Sequence, residues 1–177
     1  MEKYCAFLRG VNVNGTSMKM VDACNVFEVA GMKDISSVLA TGNIIFSSES
    51  TKTDLEISLE KALSDYFNYE AHLFLKTEEE VKEIVSQNPF FKNTENHIYS
   101  FIGNDGIEKI LFKKFLECNK AENEEVKIVK NNFYWQIKKG LTLDSQFGKV
   151  LGNKNLKSEF TSRNINTIEK ILLKMIS

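Results

Sequence analysis

The chain has little arginine, little cysteine and no surplus of charge. Of its 23 basic residues only Arg9 and Arg163 are arginine, and lysine fills the other 21. A net charge of −1 and a pI near 6.2 exclude a general attraction to nucleic acid or anionic lipid. Any such binding needs a local patch. Three cysteines, Cys5, Cys24 and Cys118, form no C-x-x-C pair and are odd in number. They read as reduced thiols of a cytosolic protein. No run of about 18 apolar residues occurs, so no membrane-spanning helix is expected, and MEKYCAFLRG carries no signal-peptide pattern.

Reaction motifs are missing as well. There is no G-x-S-x-G elbow, no P-loop and no Rossmann glycine fingerprint. His72 and His97, the only histidines, have no Cys, His or carboxylate partner at metal-ligand spacing, so both read as structural or exposed. The glutamates at 78–80 and 122–125 read as helix starts and solvated loops rather than acid–base pairs. Lys113, Lys114 and Lys120 read as the solvent face of a helix. No nucleophile, general base, metal or cofactor is called for.

What is present parses into two similar halves. The apolar run 4–8 (YCAFL) predicts a central strand, 18–30 a helix stopped at Gly31, and 35–40 and 43–47 two strands around a tight Thr41-Gly42 turn. Thr53-Asp54-Leu55-Glu56 reads as a capping box opening a helix with a stripe of Leu55, Leu59 and Leu63. A strand over 71–76 completes β-α-β-β-α-β, the ferredoxin-like order. Thr77 and Glu80 form a second capping box, and that helix ends near Pro89, the only proline. The second half predicts a strand at 97–102, a helix at 106–118 and strands at 125–130 and 133–138 across Asn131-Asn132. A helix around 147–151, a strand near 158–162 and a C-terminal helix follow. The expected organisation is a ferredoxin-like domain over 1–77, a helical linker over 78–94 and a second ferredoxin-like domain over 95–177. The fold class is α+β, with mostly antiparallel sheets.

Polar residues converge on this topology. In a β-α-β-β unit the end of the first strand lies beside the turn between the second and third. That gathers Arg9, Gly10, Asn12, Asn14 and Gly15 with Thr41, Gly42 and Asn43. Glycine permits close backbone approach, asparagine both donates and accepts, and arginine offers a planar fork, which together suit a small anionic or polar ligand. Turn composition alone also produces such clusters, and Arg9 could pair with a carboxylate. At residues 160–170 (FTSRNINTIEK), Asn164 or Asn166 at an N-cap with Glu169 behind it explains the asparagines as a helix start. Arg163 remains, since a cation at a helix N-terminus opposes the macrodipole and needs an anion elsewhere.

The runs YCAFLRGVNVNG, LATGNIIFSS, NPF at 88–90 and TSRNINTIEK resemble the bacterial family known as domain of unknown function 1697. The resemblance spans nearly the whole chain and implies two ferredoxin-like halves. It places Arg9, Gly10, Asn12, Gly15, Gly42, Asn43, Thr161, Arg163, Asn164, Asn166 and Thr167 on motif residues, and implies no function. Asn14 replaces the usual Gly, Ile165 the usual Trp, and the family's G-x-G-R-[ST]-K-L stretch is absent from LTLDSQFGKVL. Three readings follow: a polar cleft for a small anionic molecule, motifs that act as fasteners in a macromolecule-binding module, and a nucleic-acid module on the sheet face. The last is the weakest, because TGNIIFSS lacks the aromatic pattern of an RNA-binding third strand and the chain lacks basic charge.

Overall fold

The computed structural model describes residues 1–11 and 17–177. The expected pattern appears twice. β1 (Glu2–Arg9), α1 (Met20–Val29), β2 (Lys33–Ser37), β3 (Asn43–Ser48), α2 (Lys52–Phe67) and β4 (His72–Thr77) precede α3 (Glu78–Ser86). Then come β5 (Asn96–Gly103), α4 (Ile107–Leu116), β6 (Glu125–Val129), β7 (Asn132–Lys138), α5 (Gln146–Val150), β8 (Phe160–Asn164) and α6 (Ile165–Ile176). Two four-stranded antiparallel sheets result, β2-β3-β1-β4 and β6-β7-β5-β8, each in the ferredoxin-like order. The chain divides into two compact units: Met1–Lys82 with Glu169–Ser177, and Glu83–Ile168.

In the first unit β1 is a central strand, and this explains its unbroken apolar run. Tyr4, Ala6 and Leu8 join a core with Ala23, Val26 and Phe27 of α1 and Leu55, Leu59 and Leu63 of α2. The alternate residues Cys5 and Phe7 are fully buried too, so neither face tolerates a polar residue. β4 is an edge strand, and edge N–H groups need partners. Glu60 accepts from Leu73 N at 3.0 Å, Glu56 from Leu75 N at 3.3 Å and Glu80 from Thr77 N at 2.8 Å. Every second N–H of the edge is thus closed by a carboxylate.

That use of Glu56 corrects the first capping box. The cap is Thr51, whose hydroxyl accepts from Asp54 N at 3.3 Å, two residues before the expected Thr53. Two overlapping Thr-x-x-acid patterns compete here, and Glu56 is taken by the strand edge instead of the helix start. The second box is as expected, with Glu80 N donating to Thr77 at 3.2 Å in return. Burial would raise the Glu80 carboxyl, but Lys76, the Thr77 N–H and Lys52 together hold it below the usual carboxylate range.

The turn between β2 and β3 is the longer loop 38–42, closed by Val38 N donating to Asn43 O at 2.9 Å. Gly42 sits at φ +79°, and a Cβ there would lie 2.5 Å from Val11 Cγ2 and 3.0 Å from Leu8 Cβ. Both backbone conformation and space demand glycine at this point.

The second unit is packed with aromatics. Phe101, Phe133, Trp135, Phe147 and Phe160 form a core with α4 residues Leu111 and Phe115, mostly in edge or tilted ring contacts. The buried Trp135 indole donates to Glu124 at 3.0 Å, and Glu124 also accepts from Ala121 N at 2.8 Å. Glu124, expected in a solvated loop, is instead the buried partner that satisfies this indole. Two strand boundaries also shift: the β6–β7 turn is Lys130-Asn131, with Lys130 at φ +51°, and β8 ends at Asn164 rather than near 162.

Two outcomes check these assignments by urea denaturation. Gly42→Ala should destabilise by about 2 kcal/mol or more, from a collision added to left-handed strain, whereas Gly31→Ala, with open space around it, should cost only about 1 kcal/mol. Thr51→Ala should cost about 1 kcal/mol and Thr53→Ala less than half of that.

Candidate functional site

At the C-terminal end of β1 the structure brings two of the expected loops together. Leu8 N donates to Gly42 O at 2.8 Å and Phe7 pairs with Asn43, so Arg9 and Gly10 lie beside Thr41, Gly42 and Asn43. Asn43 is fully buried and donates its amide to Val38 O at 2.9 Å and to Thr41 Oγ1 at 3.0 Å. This asparagine serves its own loop. Arg9 pairs in register with His72 of β4, and burial lowers the guanidinium's pKa, so its charge is held at a desolvation cost. Nearby on the chain, buried Tyr69 Oη and His72 Nε2 make no hydrogen bond. The His72 ring lies 3.9 Å from Glu60 and 3.7 Å from Glu70. Asn12, Asn14 and Gly15 lie outside the described residues.

The other motif divides across β8. Its odd residues Thr161 and Arg163 are buried on one face, and Ser162 and Asn164 alternate to the other. Arg163 sits near the end of β8, just before α6 begins. Its Nη1 donates to Thr161 Oγ1 at 2.8 Å and to Ser162 O at 2.9 Å. Asn164 is the residue before α6, and its Oδ1 accepts from Asn166 N at 3.0 Å. Thr167 is half-buried in the first turn of that helix.

Asn164 has a second partner. Its amide nitrogen lies 3.1 Å from His97 Nδ1. Because the amide oxygen is held by the helix start, the amide presents N–H to the ring. His97 then accepts at Nδ1 and carries its proton on Nε2. Burial, and after it the positive charge of Lys139, lower the His97 pKa and keep the ring neutral.

His97 opens into a pocket of about 130 Å³ lined by Lys92, Asn93, Asn96, Lys139, Asn164 and Asn166, with Ile98 and Ile165. The sheet assembles it. β5 begins at Asn96, paired with Lys138, and Lys139 N donates to Glu95 O at 2.9 Å. On the other side Tyr99 pairs with Asn164. Asn93 Oδ1 accepts from Glu95 N at 2.9 Å and Asn96 N at 2.8 Å, which leaves its amide N–H groups for other partners. The lining contains no carboxylate side chain.

Among the described residues proposed as ligand-binding candidates from the sequence, only Asn164 and Asn166 line this pocket. Arg163 and Thr167 do not, and the Arg9 rim belongs to the other unit. Lys92, Asn93, Asn96 and Lys139 went unnoticed and His97 was read as structural or exposed, although the predicted strand order already put the start of the fifth strand beside the end of the seventh. Lys120, read as part of the solvent face of a helix, lies beyond α4 and stands over the Phe115 ring at 5.3 Å. No group of three potential metal ligands occurs among the described residues, and no helix there is long and apolar enough to cross a membrane.

The family profile described as "Protein of unknown function (DUF1697)" matches residues 1–134, so the chain belongs to that family. No curated protein matches it in sequence. Among solved structures it is similar to the conserved bacterial protein SP0830 from Streptococcus pneumoniae. The TM-score is 0.80 at 18% identity, over 100% of this chain and 99% of that one. At that identity the likeness shows the fold alone.

The neutral His97 makes a measurable contribution to pH dependence. Its folded pKa is below the ordinary 6.5, so the unfolded chain takes up the proton first as pH falls. The group therefore costs stability below about pH 6.5 and nothing above it. Between pH 8 and pH 5 the wild-type melting temperature should fall relative to that of His97→Gln. A constant offset between the two would contradict the assignment.

Proposed function

We propose that this member of the family binds a small anion in the pocket at the start of β5. The carrying observation is the lining: four asparagines, a neutral imidazole and the exposed Lys139 meet in one pocket. Lys139 supplies charge, and the amides supply oriented N–H donors. The N-terminal end of α6 adds a favourable dipole at Ile165 and Asn166. Three free cysteines suit a reducing cytosol as the compartment.

A second reading concerns the first unit. The rim at Arg9 is a further place for a polar ligand, supported by the buried Tyr69 Oη and His72 Nε2. Thr41, Gly42 and Asn43 are better read as ties within that rim, since Asn43 bonds to its own loop and Gly42 has no room for a side chain.

A phosphate titration followed by thermal unfolding tests the anion reading. At 100 times Kd the stabilisation is about 2.7 kcal/mol, or about 5–10 °C for a chain of this size. Lys139→Ala should remove the shift while leaving the ligand-free melting temperature within about 2 °C, because Lys139 is exposed. Arg163→Lys should lower that temperature and keep the shift, because Arg163 is buried and the more strongly hydrated ammonium of lysine is costlier to bury than the guanidinium. An unchanged response in Lys139→Ala would sink the proposal.

A further inference from the structure

We infer that the pocket takes up its anion together with one proton from solvent, that His97 Nδ1 receives the proton, and that the Asn164 amide turns over to accept the new N–H. This rests on the anion reading above and adds a regulation of the same site.

The hydrogen bonds around Asn164 allow two states. Its amide nitrogen lies 3.1 Å from His97 Nδ1, while its oxygen accepts from Asn166 N at 3.0 Å. Neutral imidazole fits this arrangement, with Nδ1 accepting and Nε2 carrying the only ring N–H. Imidazolium does not fit, since both of its nitrogens donate and Nδ1–H would face the amide N–H. Half a turn about the last side-chain bond of Asn164 exchanges its two arms. Oδ1 then accepts from Nδ1–H, and Asn166 N loses its acceptor. One amide thus serves either a neutral ring and a capped helix, or a charged ring and an uncapped one.

An anion tips the choice between them. The titratable side chains that line the pocket or touch the ring are Lys92 before β5, Lys139 after β7, and Tyr99, whose ring lies 5.8 Å from that of His97. Burial and the positive charge of Lys139 favour the neutral ring. An anion beside Lys139 offsets the second of these and adds negative charge next to the imidazole, which favours imidazolium. The effect is reciprocal, so an anion that strengthens proton binding is itself bound more tightly when the proton is present. The N–H that the turn releases belongs to the first turn of α6 and to a residue that lines the pocket. The anion therefore gains a backbone donor as the cap is given up.

The test is calorimetric titration with sulfate, whose own charge is constant above pH 5, in two buffers of different ionisation enthalpy. At pH 6 binding should take up part of a proton, and affinity should be roughly five-fold higher at pH 5.5 than at pH 8, as follows if binding raises the ring's pKa by about one unit. His97→Gln should bind sulfate without proton uptake and lose the pH dependence. Nitrogen NMR of the wild type locates the proton whether or not that variant folds. Without sulfate the His97 ring and the Asn166 backbone N–H should titrate with one midpoint, and sulfate should raise it by about one unit for both. Sulfate bound without proton uptake, uptake that persists in His97→Gln, or an Asn166 N–H that does not follow the ring would each overturn the inference and leave the anion reading in place. No binding of sulfate at either pH would remove that reading and this inference with it.

Discussion

The pairing of β5 on both its edges is the constraint on which the site depends. β7 on one side fixes Asn96 against Lys138, and β8 on the other fixes Tyr99 against Asn164. A slip of one residue in either ladder would turn every side chain to the opposite face. The aromatic core prevents that slip, because Phe101, Phe133, Trp135 and Phe160 must all reach the helix-covered side together. Positioning of the pocket and packing of the core are therefore consequences of one register.

The first unit keeps the same strand order and secures it differently. Its central strand is apolar on both faces, and its outer strand β4 is closed by Glu56, Glu60 and Glu80. Two of those carboxylates come from one face of α2, four residues apart, so the helix that covers the core also shields the sheet edge. Gly42 completes the arrangement by letting the β2–β3 loop lie directly against Leu8 and Val11.

Much of this was legible in the residues themselves. The unbroken run YCAFL identified a buried central strand, and the Thr77–Glu80 box gave the start of α3. Element order was enough for the ferredoxin-like halves. The failures have a common cause, which is that a residue's local signal can be claimed by a distant partner. Glu56 looked like a helix cap and serves a strand; Glu124 looked solvated and holds an indole. The pocket was missed for the same reason. Lys92, His97 and Lys139 carry no motif, and only the folded sheet brings them beside Asn164.

Asn164 illustrates how two duties narrow the choices at one position. As punctuation before a helix, serine, threonine and aspartate would serve nearly as well. As the neighbour of His97 Nδ1 none of them is equivalent. Serine and threonine are too short to span both partners, and aspartate would place a carboxylate against the imidazole, invite its protonation and carry negative charge into a cationic recess. Among the good capping residues only asparagine has an acceptor arm for the helix and a donor arm for the ring. The vocabulary at this position therefore shrinks to one letter, with no chemistry asked of the side chain itself.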